Sequence, residues 1–236
     1  QDTAMKALAP GSRPIEVGPQ VFSAVGKWPA GQLLSWANSL AHALPDATAA
    51  LNLCERRENF LLGFVALLIR GQTCLMPPSQ APAVVAEVLQ AHPGAYVLDD
   101  SEVERSRAGT IVAHVFPDIP PDRVVIVGYT SGSTGRPKAN PKTWGSLVAS
   151  TRLNSERLRE ALGGAHVDVV PWIVATVPPQ HMYGMELSVL MPLLGGAGIH
   201  GAHPLYAADV AAALEDLPAP RVLVTTPVHL RALLES

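Results

Sequence analysis

The chain has 236 residues, 48% of them hydrophobic and 16% charged, a size at which an α/β protein buries roughly 70% of its unfolded surface. Seventeen basic and 20 acidic residues give a net charge of −3 with no Lys/Arg block, so nucleic-acid wrapping has no compositional support. The 19 glycines and 22 prolines stay below the roughly 25–30% of low-complexity chains, and the longest apolar run, Leu61 to Ile69, is far short of the roughly 20 residues of a membrane span.

Elements alternate between helical and strand patterns with short connections, which argues for parallel βαβ units. Leu33, Leu34, Trp36, Ala37, Leu40, Ala41 and Leu44 recur at helical spacing until Pro45, and a strand follows at Ala49–Cys54. Glu58 to Ile69 reads as a buried helix closed by Gly71, and Thr73–Met76 as a short strand stopped by Pro77 and Pro78. Val84, Val85, Val88 and Leu89 give a helix ending at Pro93-Gly94, and Tyr96–Leu98 gives a strand. The proline-punctuated stretch Val115 to Asp122 suggests a boundary between two lobes, 1–116 and 123–236. Arg123–Tyr129 is then an apolar strand, a polar small-residue loop follows, and Thr143–Leu162 is a helix. Beyond it the pattern predicts a strand region at Val167–Val177 and helices at Glu186–Leu194 and Asp209–Leu217. A strand at Val222–Thr225 and a helix at Pro227–Leu234, with proline in its first turn, close the chain.

Cys54 and Cys74 lie in apolar segments and form no CxxC pair, so they read as buried thiols of a reducing compartment. Gln1 to Pro10 lacks the apolar stretch of a secretory signal, and the expected location is the cytoplasm.

The stretch that carries chemistry is Val127-Gly-Tyr-Thr-Ser-Gly-Ser-Thr-Gly-Arg-Pro-Lys138, leaving a predicted strand. Its glycines let backbone N–H groups approach an anion, Thr130, Ser131, Ser133 and Thr134 add hydroxyl donors, and Lys138 adds a positive charge. Together they make a phosphate cradle. No Gly-Lys-Ser/Thr closes a GxxxxG spacing, so it is not a Walker A loop.

These residues resemble the signature of the adenylate-forming superfamily of acyl-CoA synthetases, aryl-acid ligases and adenylation domains, Thr-Ser-Gly-Ser-Thr-Gly-x-Pro-Lys, matched here from Thr130 to Lys138. Asn59–Pro77 resembles the second core region of that superfamily, and Pro178/Pro179-x-His181-x-x-Gly184 its fourth. The resemblance implies an α/β fold of layered, mainly parallel sheets flanked by helices, here an N-terminal AMP-binding subdomain over 1–236. It implies a ligase in which a carboxylate attacks the α-phosphate of ATP, pyrophosphate leaves, and the acyl group passes to the thiol of CoA or a carrier protein. Thr130, Ser131, Gly132, Ser133, Thr134, Gly135 and Lys138 would bind the nucleotide, with Lys138 stabilising the leaving pyrophosphate and Mg²⁺ bridging phosphate oxygens. His181, Met182, Tyr183 and Gly184 would line the acid pocket, with ordinary helix capping as the alternative for the same residues. Trp172, Tyr183, Met182 and Met185 could sandwich a ring, which points to an aromatic acid. The later motifs for adenine, ribose and Mg²⁺ and the C-terminal lysine have no counterpart before Ser236, so the isolated chain is expected to be inactive. A non-catalytic nucleotide- or polyphosphate-binding module is the rival reading.

Some residues depart from the superfamily pattern. Ala139 stands where glycine is usual and Trp144 where histidine is common; Trp144 serves packing or contacts the acyl or nucleotide site. Gly196-x-Gly198-x-x-Gly201 formally matches a dinucleotide fingerprint, but Leu187–Leu194 before it reads as a helix and contains Pro192. His200 and His203 lack a third ligand at metal spacing and are expected to be solvated. No GxSxG nucleophile elbow surrounds Ser131 or Ser133.

Overall fold

The computed structural model describes residues 21–23, 26–28, 31–109, 116–131, 137–164 and 169–235. Two compact units share the chain, one holding Gln32–Glu55 and Asn59–Leu147, the other Arg56–Glu58 and Val148–Ser236 together with the first two strands.

The first unit starts with helix α1 (Gln32–Ala43) and strand β3 (Ala49–Asn52), continues through α2 (Arg57–Arg70), β4 (Thr73–Met76), α3 (Pro82–Ala91), β5 (Tyr96–Leu98) and α4 (Asp100–Ser106), and reaches the hairpin β6 (Val124–Ser131) and β7 (Pro137–Thr143). Its sheet order is β5-β3-β4-β6-β7, parallel except for β7. Gly71 ends α2 at φ +74°, with its N–H on the Leu68 carbonyl and the Gln72 N–H on that of Leu67, a turn that glycine alone enters without cost. Ala49, Leu51, Leu75, Val88 and Val127 form one core cluster between sheet and helix. Cys54 and Cys74 are fully buried in this unit, and burial pushes both thiols up, Cys74 to about 12.

The second unit contains β1 (Val21–Ser23), β2 (Gly26–Lys27), β8 (Trp172–Ala175), β9 (Gly198–His200) and β10 (Arg221–Val224). Their order is β10-β8-β9-β1-β2, again four parallel strands with one antiparallel edge. Helix α5 (Trp144–Leu162) passes from the first unit into the second. After β8 a continuous helical segment runs from α6 (Met182–Met185) through a π-helical turn at Glu186–Leu190 to α7 (Met191–Leu193). Helices α8 (Ala207–Glu215) and α9 (Pro227–Glu235) complete the unit, and Trp172, Val174, Ala213 and Leu217 cluster under α8.

The lobe boundary expected at the proline-rich connection is not where the units divide. β6, the strand after those prolines, pairs with β4 through Cys74↔Ile126, Leu75↔Val127 and Met76↔Gly128, so the connection is a crossover within one sheet and the division falls at Leu147/Val148. Strands β1, β2, β7 and β9 and helix α4 escaped the periodicity reading. β7 carries Pro137, Lys138, Asn140 and Pro141, tolerated because an edge strand leaves one row of backbone groups unpaired. β9 begins on Gly198, where an added Cβ would stand 2.6 Å from the Trp172 ring. α4 is charged and starts at Asp99, whose carboxylate accepts the Glu102 N–H at 3.1 Å. Trp144 is buried against the Phe116 ring at 6.1 Å, which settles its role as packing.

Candidate active site

Parallel α/β sheets present their ligand-binding crevices at the carboxyl ends of the strands, and each unit gathers polar groups there. In the first unit β6 outruns β4, whose last pair is Met76↔Gly128, so Tyr129, Thr130 and Ser131 project past the parallel ladder with only β7 beside them. Across that hairpin Thr130 faces Lys138 and Ser131 faces Pro137. Paired residues of an antiparallel ladder share a face, which puts the exposed Thr130 and Lys138 together on one side. Gly132, Ser133, Thr134 and Gly135, also assigned to the cradle from sequence, lie outside the described residues. Ser131 closes β6.

In the second unit His181 stands at the N-terminus of α6. Its N–H donates to the Pro178 carbonyl at 3.2 Å, its carbonyl accepts the Met185 N–H at 2.7 Å, and its exposed imidazole makes no capping bond. Met182 is half-buried, Tyr183 is 48% exposed and Gly184 is buried. Trp172 and Met185, the other members of the expected ring sandwich, are core residues; the Lys27 ammonium lies 5.4 Å from the Trp172 ring centroid. Only Met182 and Tyr183 of that set are open to a ligand.

Sequence reasoning missed the groups that build this loop. Arg57 is fully buried. Its Nη2 donates to the carbonyls of Ala175 at 3.1 Å and Val177 at 2.7 Å, and its Nη1 to the Ser188 hydroxyl, which itself donates to the Gly184 carbonyl at 2.5 Å. Burial pushes the guanidinium down to about 10, so it stays charged at neutral pH. One cation thereby ties the end of β8 to the π-helical turn behind His181. Between the two bonded carbonyls, Thr176 places its hydroxyl 2.8 Å from that of Thr225 and 3.0 Å from His229 Nδ1, while its carbonyl accepts from His203 Nε2 at 2.9 Å. The only signal for this cluster in the sequence was Thr225-Thr226-Pro227 at the end of a predicted strand; nothing local marked Arg57. The two histidines expected to be solvated diverge, since His203 is exposed but His200 is buried, with Nε2 3.2 Å from the Asp216 carboxylate.

A family model described as "AMP-binding enzyme" matches residues 35–236. The chain belongs to this family. Among curated relatives, a 4-coumarate–CoA ligase of Rhodobacter capsulatus is 36% identical over 105 residues, 44% of this chain and 24% of that protein. Another from Halorhodospira halophila is 35% identical over 108 residues, covering 45% and 24%. Among solved structures, the o-succinylbenzoate CoA synthetase of Bacillus subtilis with its acyl-adenylate intermediate superposes with a TM-score of 0.72 at 15% identity, covering all of this chain and 64% of that one. MatB of Rhodopseudomonas palustris gives 0.73 at 18% identity over 92% and 48%. The match thus spans about a quarter of the curated relatives' length, and the structural neighbours establish the AMP-binding fold.

Among the described residues no helix is long and apolar enough to cross a membrane, and no three His, Cys, Asp or Glu side chains stand together as a metal site.

Proposed function

We propose that this chain is the nucleotide- and acid-binding part of an ATP-dependent ligase that activates a carboxylic acid as its adenylate and passes the acyl group to the thiol of CoA or a carrier protein. The observation that carries the reading is the overhanging β6–β7 hairpin of an AMP-binding enzyme, with Thr130 and Lys138 opposite one another at its end. In the reaction a carboxylate oxygen bonds to the α-phosphorus while the bond to the pyrophosphate oxygen breaks and its electron pair leaves with pyrophosphate. Lys138 and the hydroxyl of Thr130 meet the charge that develops on that leaving group. A solvated ammonium on an edge strand suits this task, since it swings onto a polyphosphate without breaking any core contact.

The hairpin's donors, a hydroxyl and an ammonium, suit a nucleotide that brings its own Mg²⁺, which would add charge neutralisation at the phosphates. The Bacillus subtilis synthetase solved in complex with ATP and magnesium ion supports ATP and Mg²⁺ as the pair used. The acid is assigned to the loop holding His181, Met182, Tyr183 and Gly184, and an aromatic acid agrees with the exposed Tyr183 and with the ligands named for the relatives. Acid-dependent exchange of labelled pyrophosphate into ATP by the product of the full reading frame tests the proposal. Exchange that needs both an acid and Lys138 supports it, and nucleotide binding without exchange for any acid supports the non-catalytic module instead.

A further inference from the structure

The hairpin that carries the polyphosphate reading has a strand neighbour on one side only where it matters. Beyond Gly128 the strand has lost its parallel partner, and on the remaining side Pro137, opposite Ser131, has no N–H to give to the ladder. A second anchor at this end would fix the position of Thr130 more closely than the single ladder to β7. Tyr129 provides one. It pairs with Ala139, so its side chain points away from the face shared by Thr130 and Lys138 and packs against the cluster of Leu51, Leu75 and Val88. Its hydroxyl meets His92 Nε2, with the two rings edge to face at 89° and 6.1 Å between centroids. His92 is itself fixed as the residue closing α3, its N–H on the Leu89 carbonyl at 3.2 Å.

We infer that His92 and Tyr129 are positioning residues which pin the root of the polyphosphate hairpin to the end of α3 and so fix where Thr130 and Lys138 present their donors. Neither side chain lies on the ligand-facing side. Their effect is to hold the donors in place before the anion arrives, so that binding does not have to order them. The inference rests on the polyphosphate reading of the hairpin.

The test uses Tyr129→Phe, His92→Phe, their combination and His92→Gln, with Mg²⁺-pyrophosphate and Mg²⁺-ATP affinities measured by calorimetry and amide exchange followed at Thr130 and Lys138 in ligand-free protein. Each phenylalanine variant is expected to weaken pyrophosphate binding about 3- to 10-fold, the worth of one neutral hydrogen bond, and to speed exchange at both amides. The double variant should be no worse than either single one, because both remove the same bond. His92→Gln, which keeps a polar partner for the phenol, should recover most of the loss. Val103→Ala, a cavity in the buried face of α4, should lower the unfolding midpoint and leave affinity unchanged, separating positioning from general stability. Wild-type affinity and exchange in the phenylalanine variants, or losses that multiply in the double variant, would overturn the inference alone. No pyrophosphate binding by the wild-type chain would overturn the polyphosphate reading and the inference with it.

Discussion

Replacing Gly184 with alanine tests how tightly the loop that carries His181 is built. Gly184 has no unusual φ, so the cost is purely one of space. A Cβ there would stand 2.1 Å from the Pro178 carbonyl oxygen, 2.9 Å from its carbon and 3.3 Å from Val177 Cγ1. Carbon and carbonyl oxygen rest about 3.3–3.6 Å apart at closest, so α6 and the end of the strand must separate by more than about 1 Å, and the obstacle is backbone that has no rotamer to change. That same carbonyl accepts the His181 N–H, and the Gly184 carbonyl accepts from Ser188, so the shift also strains the bonds that connect the loop to Arg57. Overpacking costs about 1–3 kcal/mol and one weakened hydrogen bond about 1 kcal/mol more, giving about 2–4 kcal/mol in all. Urea unfolding followed by far-ultraviolet circular dichroism reads this as a lower midpoint with an unchanged slope. Pyrophosphate affinity, which the proposed function assigns to the hairpin of the other unit, should stay as in the wild type. A midpoint shift worth less than about 1 kcal/mol would refute the close approach of Gly184 to Pro178.

Lys138→Met should slow acid-dependent pyrophosphate exchange by about 2–4 kcal/mol of transition-state stabilisation, as for a lost oxyanion donor, and leave the unfolding midpoint unchanged because the side chain is exposed. Arg57→Lys should destabilise more than Arg57→Met in thermal melts: lysine keeps the buried charge but cannot reach Ser188, Ala175 and Val177 together, whereas methionine removes the charge that burial penalises. Asp99 is held below the usual carboxylate range first by the Ser101 hydroxyl and then by the Glu102 N–H. Its contribution is therefore present above the unfolded value of about 3.9 and lost as pH falls through the lower folded value, and the gap in urea midpoint between wild type and Asp99→Ala should close on acidification from neutral pH. In a substrate panel, benzoates or cinnamates should support exchange better than fatty acids of twelve carbons or more, a length the half-buried Met182 and exposed Tyr183 do not account for.

The sequence alone determined the elements whose signal is local. The periodicity of Leu33 to Leu44, the Gly71 stop after an apolar helix and the β-branched run before Tyr129 each lie within one element, and the helices and strands they announced are present as α1, α2 and β6. The ordered string from Thr130 to Lys138 announced the family in the same way, because the whole signature lies in consecutive residues. Tertiary structure decided what depends on distant partners. Arg57 reads as one more charged residue at a helix start until residues 118 to 131 positions later supply the carbonyls and hydroxyl that hold it. β7 is a strand because β6 lies beside it, in spite of its prolines, and Gly198 matters because the Trp172 ring rests where a side chain would be. The proline-rich stretch looked like a border and is a crossover, since only the pairing of β6 with β4 shows which sheet the next strand joins. Propensity and capping act over a few residues, while strand partnership and the burial of a charge are settled by chain segments that meet only on folding.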